Sequence, residues 1–507
     1  MQAQRFKTKP YDHQLRYLNE HGRREYSALL AEMGTGKSFC IVNNAADLWS
    51  THDLDGLLVI APNGVHFNWT LQEIPKHMPD WVRMKAAHWS SSMNKKEKKA
   101  LDDLFSSTDS TELKIFAMNA EAIATKRGFE AAQKFCMSCR RLMIAVDESD
   151  MFKNPTAART KALMKLKSLA AYRRIMTGTA ITNSPFDAFS QFMFLDETIL
   201  RTTSYFSFKA EYAEMLHENH PMLVRIMEKQ GKVKRDKDGN KVIVGRAPQI
   251  MAKNAEGRPA YRNLDKLNRL IAPHSFKVMK KDCLDLPEKV YKTAYYEMTK
   301  EQQLVYDKAR DEGRLTLAGE DTPFNRLVIL TKLAQITSGY FLHPESEEPV
   351  RIEGDNPRLE LLKERVLNAV QEHGKKVIVW ARFRVQVDDI AKALRAEGLG
   401  VVEYHGGVSK EGRLEAIENF TNGDADVFVG NQQAGGVGIT LVEASVVIYF
   451  SQDFSLRNRL QSEDRAHRIG QTEDVLYLDL IAKDSIDGQI VGALVNKKNV
   501  ADVVLNI

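Results

Sequence analysis

AEMGTGKS, Ala31–Ser38, is the stretch from which the rest of the chain is read. Gly34 and Gly36 let backbone N–H groups converge on an anion with no Cβ in the way. Thr35 sits between them, Lys37 offers a point charge to the β and γ phosphates of a nucleotide, and Ser38 offers a hydroxyl to Mg²⁺. The apolar run leading in predicts a short strand, Tyr26 to Ala31, and FCIVNNAADLW, Phe39 to Trp49, predicts an amphipathic helix leading out. The general phosphate-loop pattern has Gly where Ala31 stands, so a second, carboxylate-bearing element is needed to confirm the loop.

Apolar runs predict four more strands in the first half: Gly56 to Ala61, Leu113 to Met118, Arg141 to Val146 and Tyr172 to Met176. Runs such as LLVIA and LMIAV are apolar at every position, which fits strands buried on both faces of a parallel sheet. The expectation is a doubly wound α/β lobe with ligands at the carboxyl ends of its strands. Asp147 and Glu148 follow LMIAV at such an end. Asp147 is expected to hold Mg²⁺, directly or through water, and Glu148 to orient and deprotonate the water that attacks the γ-phosphate. The competing reading of DESD is a solvated acidic turn.

A second alternation predicts strands at Lys376 to Trp380, Val401 to Tyr404, Ala425 to Val429, Val446 to Phe450 and Val475 to Ile481. This half has no phosphate loop of its own, but it carries glycine-rich AGGVGITL, Ala434 to Leu441, and basic DRAHRIGQ, Asp464 to Gln471. On a helix, Arg465 and Arg468 at i and i+3 would share a face and could reach bound phosphates. Arginines supplied in this way stabilise charge on a transferring phosphoryl group and raise the rate by about 10³- to 10⁵-fold. An ordinary surface helix of mixed charge is the alternative.

Composition sets the outer bounds. A chain of 507 residues, 43% hydrophobic, has material for two or three cores. A net charge of +5 neither requires nor excludes nucleic acid. Cys40, Cys136, Cys139 and Cys283 are too scattered for a disulfide framework, which points to a reducing compartment. Cys136 and Cys139 form a lone C-x-x-C, read as a helical or core pair rather than as metal ligands. No signal-peptide pattern and no apolar run of membrane-spanning length is present, so a cytoplasmic protein is expected.

The ordered set AEMGTGKS, LLVIAPNGVHFNW, VDESDMFKNPTAART, TGTAITNSP, KKVIVWARF, YHGGVSKEGRLEAIENF, AGGVGITL and QSEDRAHRIGQT resembles the Swi/Snf-type branch of superfamily 2 helicase-like ATPases. DES followed by FKN and TAR, with GGVGITL, looks most like the fork-remodelling and strand-annealing members and their prokaryotic or phage relatives. The resemblance implies two RecA-like lobes, with ATP and Mg²⁺ as cofactors and hydrolysis in the cleft between the lobes. It implies a monomeric motor on double-stranded DNA, including branched DNA, nucleoid-associated or acting in a phage-infected host. Gln14 would read adenine; Gly34, Thr35, Gly36, Lys37 and Ser38 would bind the phosphates; Asp147 and Glu148 keep the roles above. Gln461, Arg465 and Arg468 become the second lobe's contribution, and Thr177 to Thr179 would couple the γ-phosphate to lobe movement. Pro62, Asn63, Lys153, Arg382, Phe383, Gln433 and Thr440 fall in motifs that contact nucleic acid or line the cleft. A strand-separating or annealing helicase on branched DNA or RNA stays open, as does a nucleotide-gated DNA- or polymerase-binding factor.

Four positions depart from the family pattern. Asp150 stands where His is usual, Thr440 where Asn is common, HSFKVMKKDCLDLPEK where an Arg-Arg-Lys stretch precedes Leu-Pro, and Asn356-Pro357-Arg358 where a Gly-Lys pair is common. The expected organisation is a first lobe over 1–200, a basic insertion over 201–285, a linker with a helical insertion over 286–350, a second lobe over 351–485 and a helical tail over 486–507. Between Arg201 and Val290 there are 19 Lys+Arg against 11 Asp+Glu, so the basic surplus is concentrated there and the remainder of the chain is slightly acidic. Within it KVKRDKDGNKVIV, Lys232 to Val244, predicts a hairpin turning at Asp-Gly-Asn and basic on both arms. It is read as a phosphate grip beside a DNA track, against a merely solvated hairpin. The absence of a visible chromatin-reading module or zinc finger favours a minimal motor.

Overall fold

The computed structural model describes residues 5–505, apart from 108, 110, 179, 218–219, 236–240, 245–247, 255–257, 284, 320–322, 344–345, 347 and 433–438. The chain divides into two compact units, one of residues 1–32, 36–278 and 499–507 and one of residues 33–35 and 279–498.

The first unit is built on strands β1 (Tyr26–Ala31), β2 (Gly56–Ala61), β3 (Met84–His88), β4 (Leu113–Asn119), β5 (Leu142–Asp147) and β6 (Tyr172–Thr177). A short antiparallel hairpin, β7 (Val233–Arg235) with β8 (Lys241–Ile243), and a last strand, β9 (Ser275–Val278), follow. The sheet order is β3-β4-β2-β5-β6-β1-β9, and each pairing is parallel. Every residue of β2 is buried, as its unbroken apolar run requires. The doubly wound order leaves β6 between β1 and β5, so three carboxyl ends that carry chemistry lie side by side.

Buried Arg174 on β6 ties this arrangement together. Its guanidinium donates to Asn44 Oδ1 (3.0 Å), on the helix after the phosphate loop, and to the carbonyls of Gly22, Arg24 and Glu25 before β1. The lone C-x-x-C lies against the same sheet. Cys136 is buried in the apolar core, and burial raises its thiol to about 12.

The second unit has β10 (Lys289–Tyr296), a small antiparallel pair β11 (Tyr340–Leu342) and β12 (Pro349–Arg351), then β13 (Lys376–Ala381), β14 (Val401–Tyr404), β15 (Val427–Asn431), β16 (Ala444–Tyr449) and β17 (Val475–Ala482). Its six-stranded sheet runs β10-β17-β16-β13-β15-β14, again parallel throughout. Helices Lys300–Gly319 and Pro323–Ile336 fall in the expected helical insertion. From these helices Tyr306, Ala309, Leu333, Ala334 and Ile336 share a core with Ile486, Ile490 and Leu494 of the last helix. Fully buried Arg358 pairs with Asp487 and donates to Tyr296 Oη (2.7 Å) and Ser338 Oγ (2.9 Å), joining β10, the helical insertion and the last helix.

Two boundaries differ from expectation. The stretch expected to be a basic insertion through 285 ends in β9, which pairs with β1 and completes the first sheet. Phe208, Tyr212, Leu267 and Ile271, also from that stretch, sit in the first unit's core. The stretch expected to be a linker begins with β10, an edge strand of the second sheet. β10 reads KVYKTAYY because its outer residues face solvent, and a half-exposed strand lacks the unbroken apolar run that marks the central ones. No helix among the described residues is long and apolar enough to cross a membrane.

Candidate nucleotide site and arginine loop

Between β1 and the helix Lys37–Ser50 the loop turns on two glycines, Gly34 and Gly36, both at φ +82°. A side chain at Gly36 would be strained by that backbone and would meet Gln14 Nε2 at 2.2 Å. Gln14 is buried on the first helix, Asp12–His21; its Oε1 accepts from Tyr11 N (2.9 Å) and its Nε2 donates to the Gly36 carbonyl (3.3 Å). The residue expected to read adenine thus also touches the phosphate loop. Lys37, the first residue of its helix, curls back so that Nζ donates to the Ala31 carbonyl at 3.0 Å. Ser38 follows it in the same first turn. A glycine-turned loop opening a helix, with a lysine and a hydroxyl at its mouth, fits a nucleotide's phosphates and their Mg²⁺.

At the end of β5 stand Asp147 and Glu148. Trp69, 1% exposed, donates Nε1–H to Asp147 Oδ2 (3.0 Å), and the Glu148 amide donates to Asp147 Oδ1 (3.0 Å). Enclosure by the fold, and then the adjacent Glu148 carboxylate, push the Asp147 carboxyl up to about 6, against the pull of Lys37 and the Trp69 bond. Glu148 is in the left-handed region, φ +50° and ψ +56°, which costs a non-glycine residue about 1–3 kcal/mol. The surrounding structure holds it there: Thr177, at the end of β6, donates Oγ1–H to Glu148 Oε2 at 3.4 Å. This arrangement rules out the solvated acidic turn, since Glu148 is 8% and Asp150 1% exposed.

The next residues extend the link. Ser149 Oγ donates to Gln191 Oε1 (2.6 Å), and Gln191 Nε2 donates to the carbonyls of Ala180 (2.7 Å) and Asp187 (2.8 Å). The acidic turn is therefore wired to the segment after β6. Of the expected coupling residues Thr177 is in this network, and Thr179 lies outside the described residues. Neither Trp69 nor Gln191 stands out in the sequence as a site residue. Trp69 ends the quoted stretch LLVIAPNGVHFNW, but an indole N–H aimed at a carboxylate leaves no spacing signal.

The arginine segment in the second unit differs from expectation. The helix Leu456–Glu463 stops before Arg465, and residues 464–470 are a run of turns, so Arg465 and Arg468 do not share a helical face. Asp464 at the helix end and Gly470, at φ +106°, bound a segment whose mixed-charge pattern reads as helical. Arg465 is 2% exposed and donates Nη1–H to the Ile439 carbonyl (3.2 Å), while Arg468 Nη1 donates to Thr440 Oγ1 (2.7 Å). Gln461 is buried on the helix itself.

The expected nucleic-acid residues are scattered. Asn63 is exposed beside Pro62, after β2. Lys153 already has partners: Nζ donates to Thr182 Oγ1 (2.5 Å) and lies 3.8 Å from Asp187. Arg382 stacks on the Phe383 ring (4.9 Å) and donates Nη2–H to Thr331 Oγ1 (3.3 Å), and burial lowers its basicity. Thr440 is the Arg468 partner just described, and Gln433 lies outside the described residues. The hairpin β7-β8 is present, though its expected Asp-Gly-Asn turn lies outside the described residues. Val233 pairs with Ile243, and Lys241 bonds Glu228 (2.6 Å) on the helix Pro221–Lys229. Lys232, Lys234, Val242 and Val244 make up the alternate, exposed face.

Comparison with known proteins matches residues 12–340 to the SNF2-related domain family and residues 358–470 to the helicase conserved C-terminal domain family. An uncharacterized ATP-dependent helicase of Mycoplasma genitalium is 26% identical over 92% of this chain and 39% of its own length. Transcription regulatory protein SNF2 of Saccharomyces cerevisiae is 24% identical over 90% of the chain and 25% of its own. A putative ATP-dependent helicase/translocase, YwqA of Bacillus subtilis, is 24% identical over 97% of the chain and 47% of its own. The chain thus spans less than half the length of each of these relatives. Among solved structures, the Sulfolobus solfataricus SWI2/SNF2 ATPase core in complex with dsDNA is 21% identical with a TM-score of 0.40, over 100% of this chain and 95% of that one.

Proposed function

The chain belongs to the SNF2-related family of ATP-dependent helicases, and on that premise we propose that it is a DNA-dependent ATPase that translocates along duplex DNA. One observation carries the reading: buried Glu148, held in a left-handed conformation within reach of Thr177, follows an Asp147 whose carboxylate is oriented by Trp69. Such strain at a carboxylate pair fits a site that must hold a water and a divalent cation in fixed relation. Gln14, Gly34, Thr35, Gly36, Lys37 and Ser38 are assigned to ATP, with Ser38 and Asp147 on Mg²⁺, which supplies charge neutralisation at the phosphates. Glu148 takes the proton of the attacking water. Gln461, Arg465 and Arg468 are assigned the charge that develops on the transferring phosphoryl group.

Duplex DNA is the proposed partner, gripped through its phosphates and therefore with little sequence preference. Pro62, Asn63, Lys153, Arg382, Phe383, Gln433 and Thr440 are the proposed contacts, joined by the exposed Lys232 and Lys234 of the hairpin. Lys153 and Arg382 would have to exchange their present partners to serve.

DNA-stimulated ATP turnover is the direct test. The wild-type chain should hydrolyse ATP faster with duplex DNA than without. Lys37→Ala should lose productive ATP binding, Glu148→Gln should bind ATP and turn it over slowly, and Arg468→Ala should bind ATP and lose rate. Full DNA-stimulated turnover by Glu148→Gln would contradict the assignment of the base.

A further inference from the structure

The second unit resumes at Met279, and Lys280 beside it is 4% exposed. An ammonium so enclosed must be fully compensated to be tolerated. Its Nζ donates to Asp464 Oδ1 at 2.7 Å and to the His467 carbonyl at 2.7 Å. Those two residues directly precede Arg465 and Arg468. Neighbours on the same segment repeat the pattern. Lys289 Nζ lies 3.1 Å from Glu463 Oε2 and 3.5 Å from Asp464, and His467 Nε2 donates to the Pro287 carbonyl at 2.8 Å. The other side of the turn is held by Leu441 N donating to the Arg465 carbonyl and by Arg468 bonding Thr440.

Because the helix ends at Glu463, the arginine turn keeps only turn-type backbone bonds, such as His467 N to the Glu463 carbonyl (3.2 Å) and Ala466 N to the same carbonyl (3.3 Å), and contacts from other segments add to them in setting its shape. Lys280 makes two of them, one to a side chain and one to a backbone carbonyl, which straddle Arg465. We propose that Lys280 is a positioning residue: it fixes residues 464–468 so that Arg465 and Arg468 meet the transferring phosphoryl group in one geometry. The chain segment that enters the second unit therefore sets the rate of hydrolysis rather than the affinity for ATP. This rests on the assignment of Arg465 and Arg468 made above. A group that acts on charge in the transition state affects kcat, and displacement by about 1 Å costs about 10²-fold in rate.

The experiment is steady-state DNA-stimulated ATP hydrolysis by the full chain carrying Lys280→Met, Asp464→Asn, both together, Lys280→Arg or Arg468→Ala. Lys280→Met and Asp464→Asn should each lower kcat about 10- to 100-fold with KM for ATP nearly unchanged, and the double variant should be no slower than the slower single one. Lys280→Arg, which keeps the charge, should recover part of the rate and serves if Lys280→Met does not fold. Wild-type kcat in Lys280→Met beside a slow Arg468→Ala would overturn the positioning role alone. Wild-type kcat in Arg468→Ala would instead overturn the arginine assignment on which it rests. A lowered unfolding temperature with kcat unchanged in the folded Lys280 variants would mark the lysine as structural only, and would overturn the inference.

Discussion

Glu148 carries backbone strain at the residue to which the proposed chemistry assigns the base. Its left-handed backbone favours glycine, so Glu148→Gly should raise stability by about 1 kcal/mol or leave it unchanged, read by chemical denaturation, while turnover is lost. A fall in stability would mean that the Thr177 bond outweighs the strain. Trp69 makes the complementary case. Trp69→Phe keeps the packing but removes the N–H that orients Asp147, and the Mg²⁺ concentration for half-maximal turnover should rise about tenfold. An unchanged Mg²⁺ requirement would leave the indole as core filling. Lys37, Asp147 and Glu148 were legible because a glycine-turned loop and a strand-end carboxylate pair must be written in fixed residue types at fixed places. Trp69, Gln191 and Lys280 were not, because their partners lie far away in sequence and a hydrogen bond of that kind imposes no local pattern.

Among elements, legibility followed burial. The central strands β2 and β5 carry unbroken apolar runs, β1, β4 and β6 carry shorter ones broken by Ser27, Lys114 or the Arg173-Arg174 pair, and all five lie inside the first sheet. The edge strands β3, β9 and β10 did not stand out in the sequence, since an edge strand is polar wherever it meets solvent. The arginine turn was misread for a related reason: DRAHRIGQ has the mixed charge of a surface helix, and nothing local says that Arg465 is buried. The hairpin was legible in outline, and its exposed face offers a clean test. Charge reversal of Lys232 and Lys234 together should weaken duplex binding and reduce the salt slope by about 2, with DNA-free ATPase unchanged. An unaltered slope would leave the hairpin merely solvated.

Glu463, at the end of its helix, gives the second unit a pH signature. Burial alone would raise its carboxyl, but Lys289, Arg459 and Tyr291 override that and bring it down to about 2. A carboxyl depressed from about 4.5 contributes stability above that pH and loses it as the pH falls toward 2, on the order of 3 kcal/mol. The second unit's resistance to unfolding should weaken as the pH falls over that interval, and Glu463→Gln should flatten the dependence. A dependence of equal steepness in the variant would place its origin elsewhere.

For the whole molecule, the two parallel sheets divide the chemistry unequally. The first carries the phosphate loop and the acidic turn, and the second carries the arginine turn and has no phosphate loop. A motor reading requires that ATP turnover be coupled to movement along DNA. The most direct measurement is displacement of a triplex-forming third strand from duplex DNA in the presence of ATP and Mg²⁺. The wild-type chain should release the third strand, and Glu148→Gln should leave it bound. Vigorous DNA-stimulated hydrolysis by the wild-type chain with the third strand still in place would contradict translocation.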